Sequence, residues 1–296
     1  MTVDKDIYPF EGRFLDRDGL RLHYLDEGSG PPVVMVHGNP SWSIYYRKLV
    51  LALRGSHRCI VPDHMGCGLS DKPGDDRYTY TLQSRVDDLS ALIAATVPVG
   101  KITLVVHDWG GMIGMAWATA HPERIDRLVI LNTAAFHNPR GTKVPLPLWL
   151  ARNTAVGGFL VRRLNAFARG ALSMAVRRPM SAALRAAYLA PYDTPANRIA
   201  TLRFVQDIPL KPGDPAWAVV SATEAGLAAL ANKPALICWG MKDFVFDPAF
   251  LQVWRKHLPD AQVHEFADGG HYILEDEGDE IATLVRRFLG ADGAAE

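Results

Sequence analysis

The apolar run at residues 102–106 leads straight into His107-Asp108-Trp109-Gly110-Gly111, and an apolar helical stretch begins at Met112. A strand that bends sharply into a helix lifts the residue at the bend above the sheet edge. Small residues after it keep a Cβ from colliding with strand and helix. That is the physical content of a nucleophile elbow. Where the G-x-S-x-G pattern has serine, this chain has Asp108, and His107 replaces the first glycine. A carboxylate needs no base to be nucleophilic at neutral pH: it attacks saturated carbon to give an ester, or a carbonyl to give an anhydride. The plainer reading makes Asp108 a cap for the following helix. The other reactive residues, in their order along the chain, favour the elbow.

His37-Gly38-Asn39-Pro40 follows the apolar run 33–36. A loop there can offer a backbone N–H to an oxyanion, paired with the N–H of the residue after the nucleophile, Trp109. Trp239-Gly240-Met241-Lys242-Asp243 follows the run 235–238, and Asp268-Gly269-Gly270-His271 follows the run 262–266. Asp243 can hold one imidazole nitrogen of His271 protonated and leave the other free to take a proton. Asp247 competes for that duty, but Pro248 after it marks a helix cap. Asn132 stands at another place suited to the acid, and an amide carries no charge. Nucleophile, acid, histidine is the chain order of the hydrolase arrangement.

These residues need a scaffold of strands and helices. Apolar clusters at 13–15 and 20–25, separated by Asp18-Gly19, read as a hairpin. Short buried-strand runs recur at 33–36, 59–61, 102–106, 128–131, 235–238 and 262–266. Helical patterns fall at 44–53, 81–96, 112–120, 248–258 and 279–289. Alternating strand and helix predicts a doubly wound, mostly parallel sheet with helices on both faces. The alternation breaks between about 133 and 222, a segment without a convincing strand. Leu160, Leu164, Phe167, Ala171 and Met174 are spaced as one face of a single helix, with Arg162, Arg163 and Arg169 turned away. Residues 134–220 carry a net charge of +9, and the whole chain of 296 residues carries none. An all-helical cap over the sheet edge is expected, its arginines either a solvated face or a docking surface for a partner or an anionic substrate.

Zero net charge excludes a generally cationic nucleic-acid binder. The longest charge-free stretch, 28–46, contains three prolines and three glycines and is no membrane span. Three scattered cysteines, Cys59, Cys67 and Cys238, give no disulfide framework, and with no secretory signal they point to a cytoplasmic protein. His23, His57, His64, His121, His137, His257 and His264 form no metal-ligand spacing, so neither a metal nor a cofactor is expected. Gly66-Cys67-Gly68 lacks the third glycine and the helix of a dinucleotide fingerprint.

The motifs together resemble the haloalkane-dehalogenase type of α/β-hydrolase over nearly the whole chain. The stretches 37–43, 80–89, 190–193, 203–210 and 243–247 are similar to a narrower group, the β-lactone decarboxylases of bacterial long-chain olefin biosynthesis, which itself resembles the third dehalogenase subfamily. The resemblance implies an α/β-hydrolase fold with an eight-stranded sheet, and the break in alternation divides the chain into core (1–133), helical cap (134–222), core (223–290) and an expected disordered tail (291–296). It implies Asp108 as nucleophile, His271 and Asp243 as base and acid, and Asn39 and Trp109 as the groups that steady an oxyanion or halide. The implied reaction is attack on the carbonyl of a β-lactone with two alkyl chains, releasing carbon dioxide and a cis-alkene. Hydrolytic dehalogenation of haloalkanes is the runner-up. Epoxide hydrolysis, with Tyr188 and Tyr192 as acids, is third, and a catalytically silent binding protein is the non-enzyme alternative. The olefin-pathway resemblance also implies a multi-enzyme assembly docked through the basic cap.

Overall fold

Asp18 and Gly19 both adopt left-handed backbone, with φ of 56° and 76°. This two-residue turn joins β1 (Arg13–Arg17) to β2 (Leu20–Glu27) as an antiparallel hairpin, because positive φ at both central positions matches the twist of paired strands. The structure, a computed structural model, describes residues 3–291. The hairpin continues onto β4 (Arg58–Pro62) and starts an eight-stranded sheet in the order β1-β2-β4-β3-β5-β6-β7-β8. From β4 onward all pairs are parallel, through β3 (Pro32–Val36), β5 (Ile102–Asp108), β6 (Ile125–Thr133), β7 (Ala235–Gly240) and β8 (Gln262–Phe266).

The central strands carry uninterrupted apolar runs because both of their faces are covered. Val34, Val36, Leu104, Val106, Leu128 and Ile130 pack in one core; Val33, Met35, Val105, Val129 and Leu131 pack in the other. Against the second core lie α1 (Arg47–Leu53), and, near the chain's end, α11 (Ile273–Asp276) and α12 (Gly278–Leu289). The first core is covered by α2 (Leu82–Thr96), α3 (Trp109–Ala120) and α10 (Pro248–His257). Between β6 and β7 come six helices and no strand: α4 (Leu146–Asn153), α5 (Ala155–Leu164), α6 (Ala166–Met174), α7 (Ala182–Leu189), α8 (Ile199–Gln206) and α9 (Trp217–Gly226). No helix among the described residues is long and apolar enough to cross a membrane.

Two sequence expectations need correction. The single helix expected across Leu160–Met174 is two helices, because Asn165 sits in left-handed backbone at φ 54° and its buried amide donates to the Tyr192 carbonyl. The arginine stripe is therefore not continuous, and Arg162 folds back to donate to the Pro195 carbonyl. At the other end, the expected disordered tail starts too early. Gly290 closes α12 in left-handed backbone and Ala291 is buried; residues 292–296 of that expectation lie outside the described residues.

Where β5 meets α3, helix and strand approach closely. A Cβ on Gly110 would stand 1.9 Å from the Val36 carbonyl oxygen, a backbone atom of the neighbouring strand. Gly110→Ala is expected to destabilise the protein by about 1–3 kcal/mol through this overlap, read as a lower urea midpoint. An unchanged midpoint would show that the bend tolerates a side chain.

Candidate active site

Asp108 ends β5 with φ 50° and ψ −126°, a conformation an ordinary side chain rarely adopts. The surroundings hold it there. The Thr133 hydroxyl donates to its carbonyl oxygen. Gly38 comes so near that a Cβ would lie 2.1 Å from Oδ2 of Asp108. Asp108 stands at the N-cap position of α3, yet its carboxylate accepts no capping hydrogen bond from the helix N–H groups beyond Trp109. Its Oδ2 instead accepts the Asn39 N–H at 2.7 Å, and the Trp109 N–H points to the same carboxylate. The loop from β3 and the first residue of α3 thus form a two-donor cradle, filled by the aspartate itself.

His271 follows β8 and places Nε2 at 3.9 Å from Oδ1 of Asp108, beyond hydrogen-bond reach and near enough for charge to be felt. Its Nδ1 lies 2.8 Å from Oδ2 of Asp243. The Asp243 carboxylate is fully committed: Oδ1 accepts the N–H groups of Val245 and Phe246 at 2.7 and 3.1 Å. Burial opposes a charged imidazole at His271, but Asp243 and Asp108 outweigh it and hold the pKa above the usual histidine value. Burial pushes Asp108 up to about 6, against the pull of His271 and the two N–H groups. Asp108, Asp243 and His271 therefore come together as the sequence order expected. Asp247 caps α10 through the Ala249 N–H.

Sequence reasoning gave no role to four residues that build this geometry. Asn132, set aside for want of charge, donates from Nδ2 to Asp243 Oδ2 at 3.0 Å and clamps both the N–H and the carbonyl of Gly240. His107 stacks on Tyr45 and bonds through Nε2 to the His271 carbonyl at 2.8 Å; burial keeps its ring neutral. Asp276 accepts the N–H of Gly270 with one oxygen and those of Arg177 and Arg178 with the other, tying the histidine loop to the segment after α6. Arg85 is wholly buried, paired with Asp207 at 3.1 Å, with its guanidinium 3.6 Å from the Phe204 ring centroid and 5.7 Å from that of Trp109. A signal existed only for Asn132, which sits at the end of β6.

Asp108, His271, Asn39 and Trp109 line the floor of one cavity under the helices between β6 and β7. Its walls are mostly apolar, with Phe136, Leu148, Phe167, Met174, Val205 and Phe246 among them. The Asn39 side chain donates once, to the Thr201 carbonyl at 3.1 Å, which leaves its second amide hydrogen uncommitted. Tyr188 and Tyr192 do not face the cavity. Their hydroxyls donate to Glu275 and to the Ser41 carbonyl, so the acids that epoxide opening requires are elsewhere employed.

Fold and site together define the class: the α/β-hydrolase fold family matches residues 31–278, and the chain belongs to it. It is 60% identical over 96% of its length, and 89% of the relative's, to the cis-3-alkyl-4-alkyloxetan-2-one decarboxylase of Shewanella oneidensis. It is 49% identical to the enzyme of the same name from Xanthomonas campestris pv. campestris, covering 95% of this chain and 97% of that one. Among solved structures, haloalkane dehalogenase DbeA from Bradyrhizobium elkani superposes with a TM-score of 0.85 at 26% identity, covering 97% of this chain and all of that one.

The raised pKa of Asp108 has a consequence for stability. An unfolded aspartate titrates near ~4, so the folded protein holds this proton more tightly than the unfolded one. Stability then falls as pH rises from about 4 to about 6 and stays lower above that. Asp108→Asn is expected to raise the melting temperature at pH 8, by on the order of 2 kcal/mol in stability, with the gain vanishing below pH ~4. A variant melting at or below wild type at pH 8 would mean that the buried charge carries no such cost.

Proposed function

We propose that the chain converts cis-3,4-dialkyl β-lactones to cis-alkenes and carbon dioxide through an ester on Asp108. One observation carries the mechanism: the cradle that would serve a substrate carbonyl is occupied by Asp108 Oδ2. Attack at the lactone carbonyl would require those same N–H groups for the substrate's oxygen. Attack by Oδ1 at the ring carbon bearing oxygen does not, and it leaves the cradle to hold the carbonyl of the resulting ester. The names of the Shewanella and Xanthomonas relatives support the substrate, and the apolar cavity walls suit its alkyl chains.

The bonds balance without water. Oδ1 of Asp108 attacks from behind the ring carbon, the bond from that carbon to the lactone oxygen breaks, and the oxygen leaves as part of a tethered carboxylate. The Trp109 indole N–H and the free amide hydrogen of Asn39 receive its charge in a site that excludes water. Arg85, behind the indole, draws electron density from the ring and strengthens its N–H as a donor. Backside attack sets the new ester anti to the carboxylate. The carbon–carbon bond to the carboxylate then breaks, its electron pair forms the alkene, and the ester bond breaks to return Asp108. Both alkyl groups stay on the same side. His271, oriented by Asp243, keeps a positive-leaning imidazole beside the nucleophile and can direct water onto an ester that has no carboxylate to lose. Three free, buried cysteines are in keeping with a reducing cytoplasm.

A second reading, hydrolytic dehalogenation, is favoured by the likeness to the dehalogenase structure and uses the same three residues with water. Purified protein given a cis-3,4-dialkyl β-lactone is expected to release alkene and carbon dioxide; bromide and alcohol from 1-bromobutane, with no lactone turnover, would reverse the order of the readings. His271→Ala separates the steps. It is expected to keep forming alkene from the lactone, while 1-bromobutane leaves a butyl ester on Asp108 visible by intact-protein mass spectrometry. Loss of lactone turnover together with an accumulating lactone adduct would contradict the water-free route. Because Asp108 must be ionised to attack, kcat/KM is expected to fall about tenfold per pH unit below about 6.

A further inference from the structure

Two helices of the cap are amphipathic the wrong way round. On α5 the inward residues are Gly157 and Val161, while Val156, Phe159, Leu160 and Leu164 face outward. On α4 the buried residue is Ala151, and Leu146, Trp149 and Leu150 are exposed. Among the described residues, eight of the twelve exposed large hydrophobic side chains fall between 146 and 174. A folded surface rarely concentrates them so unless something covers them.

Charge identifies what that something is. Residues 134–192 contain no aspartate or glutamate. Lys143, Arg163, Arg169 and Arg177 are exposed on or beside these helices and form no salt bridge among the described residues. A shallow groove beside α5 sets Arg162 and Arg163 next to Phe159 and Pro195, with Arg162 using only its Nε on the Pro195 carbonyl. Apolar side chains flanked by cations that form no salt bridge, on a stretch of chain without carboxylates, suit the boundary between anionic headgroups and acyl chains. The patch is also continuous with the cavity mouth: Pro147 on α4 and Met174 on α6 are both exposed, and both line the cavity above Asp108.

We propose that α4, α5 and α6 dock the protein on an anionic phospholipid surface, with the cavity mouth turned toward the acyl layer. Long-chain substrate then enters from the lipid and alkene returns to it, without either crossing water. The delivery of substrate rests on the lactone reading; the binding does not.

The test is sedimentation of the full chain with vesicles of pure phosphatidylcholine and of equimolar phosphatidylcholine and phosphatidylglycerol. Binding is expected to be at least tenfold stronger to the anionic vesicles, to weaken with added salt, and to fall at least tenfold in Phe159→Glu/Leu160→Glu and in Arg163→Glu. These positions lie outside the cavity, so turnover of a short, water-soluble substrate is expected to be unchanged, which also shows that the variants fold. If binding holds while lactone turnover is absent, the docking surface stands and the substrate assignment fails. Equal binding to neutral vesicles, no binding to either, or full binding by the variants would overturn the proposal. So would wild-type protein that ignores vesicles but forms a dimer in light scattering that the same variants dissolve, which would assign the patch to a second copy of the chain.

Discussion

Most of this structure follows from holding one carboxylate ionised where there is no water to solvate it. The Asn39 N–H replaces the solvent on Oδ2 of Asp108, the Trp109 N–H faces the same carboxylate, and Oδ1 lies 3.9 Å from the His271 ring. Replacing water by fixed dipoles demands contact at hydrogen-bond distance. That brings the β3 loop down onto the bend, and it explains why Gly38 has no room for a side chain. It also forces the aspartate backbone into a strained region, which the Thr133 hydroxyl helps to hold. The carboxylate is thus poised at a cost in stability, a common condition of active sites.

The charges around the carboxylate form a graded set. Asp243 and Asp108 flank a single imidazole, and each favours its protonated form. Asn132 then matters because it has no charge: a third carboxylate at that place would compete with Asp243 for the imidazole, whereas the amide donates to Asp243 and fixes the Gly240 turn that carries it. His107, beside them, stays neutral by burial and acts only through its hydrogen bond to the His271 main chain.

The sheet and the grouping of Asp108, Asp243 and His271 were legible in the sequence because both rest on local patterns. Buried parallel strands are short uninterrupted apolar runs, and each reactive residue follows one of them, as the topology requires of a site at the carboxyl ends of strands. What was not legible depends on contacts between distant segments. The break at Asn165 is invisible to helical periodicity, which continues in phase across it; it needs the Tyr192 carbonyl, 27 residues away, to be seen. Tyr188 and Tyr192 have the right chemistry for acids, and only the fold shows their hydroxyls committed to Glu275 and Ser41. The occupied cradle is of the same kind. Sequence places the donors, but whether they serve the substrate or the nucleophile depends on where a carboxylate one bond longer than a serine hydroxyl reaches.

The Asp276 carboxylate joins the helical layer to the histidine loop through three N–H groups, and the Tyr272 N–H donates to the Ala175 carbonyl beside it. A door hinged to swing wide at this edge would drag the imidazole away from both aspartates. Traffic would then pass by small parting of side chains on the α4 side of the mouth, around Pro147, while this edge stays latched. Exchanging the cap for another would likewise disturb His271 unless the 175–178 segment travelled with the fold beneath it.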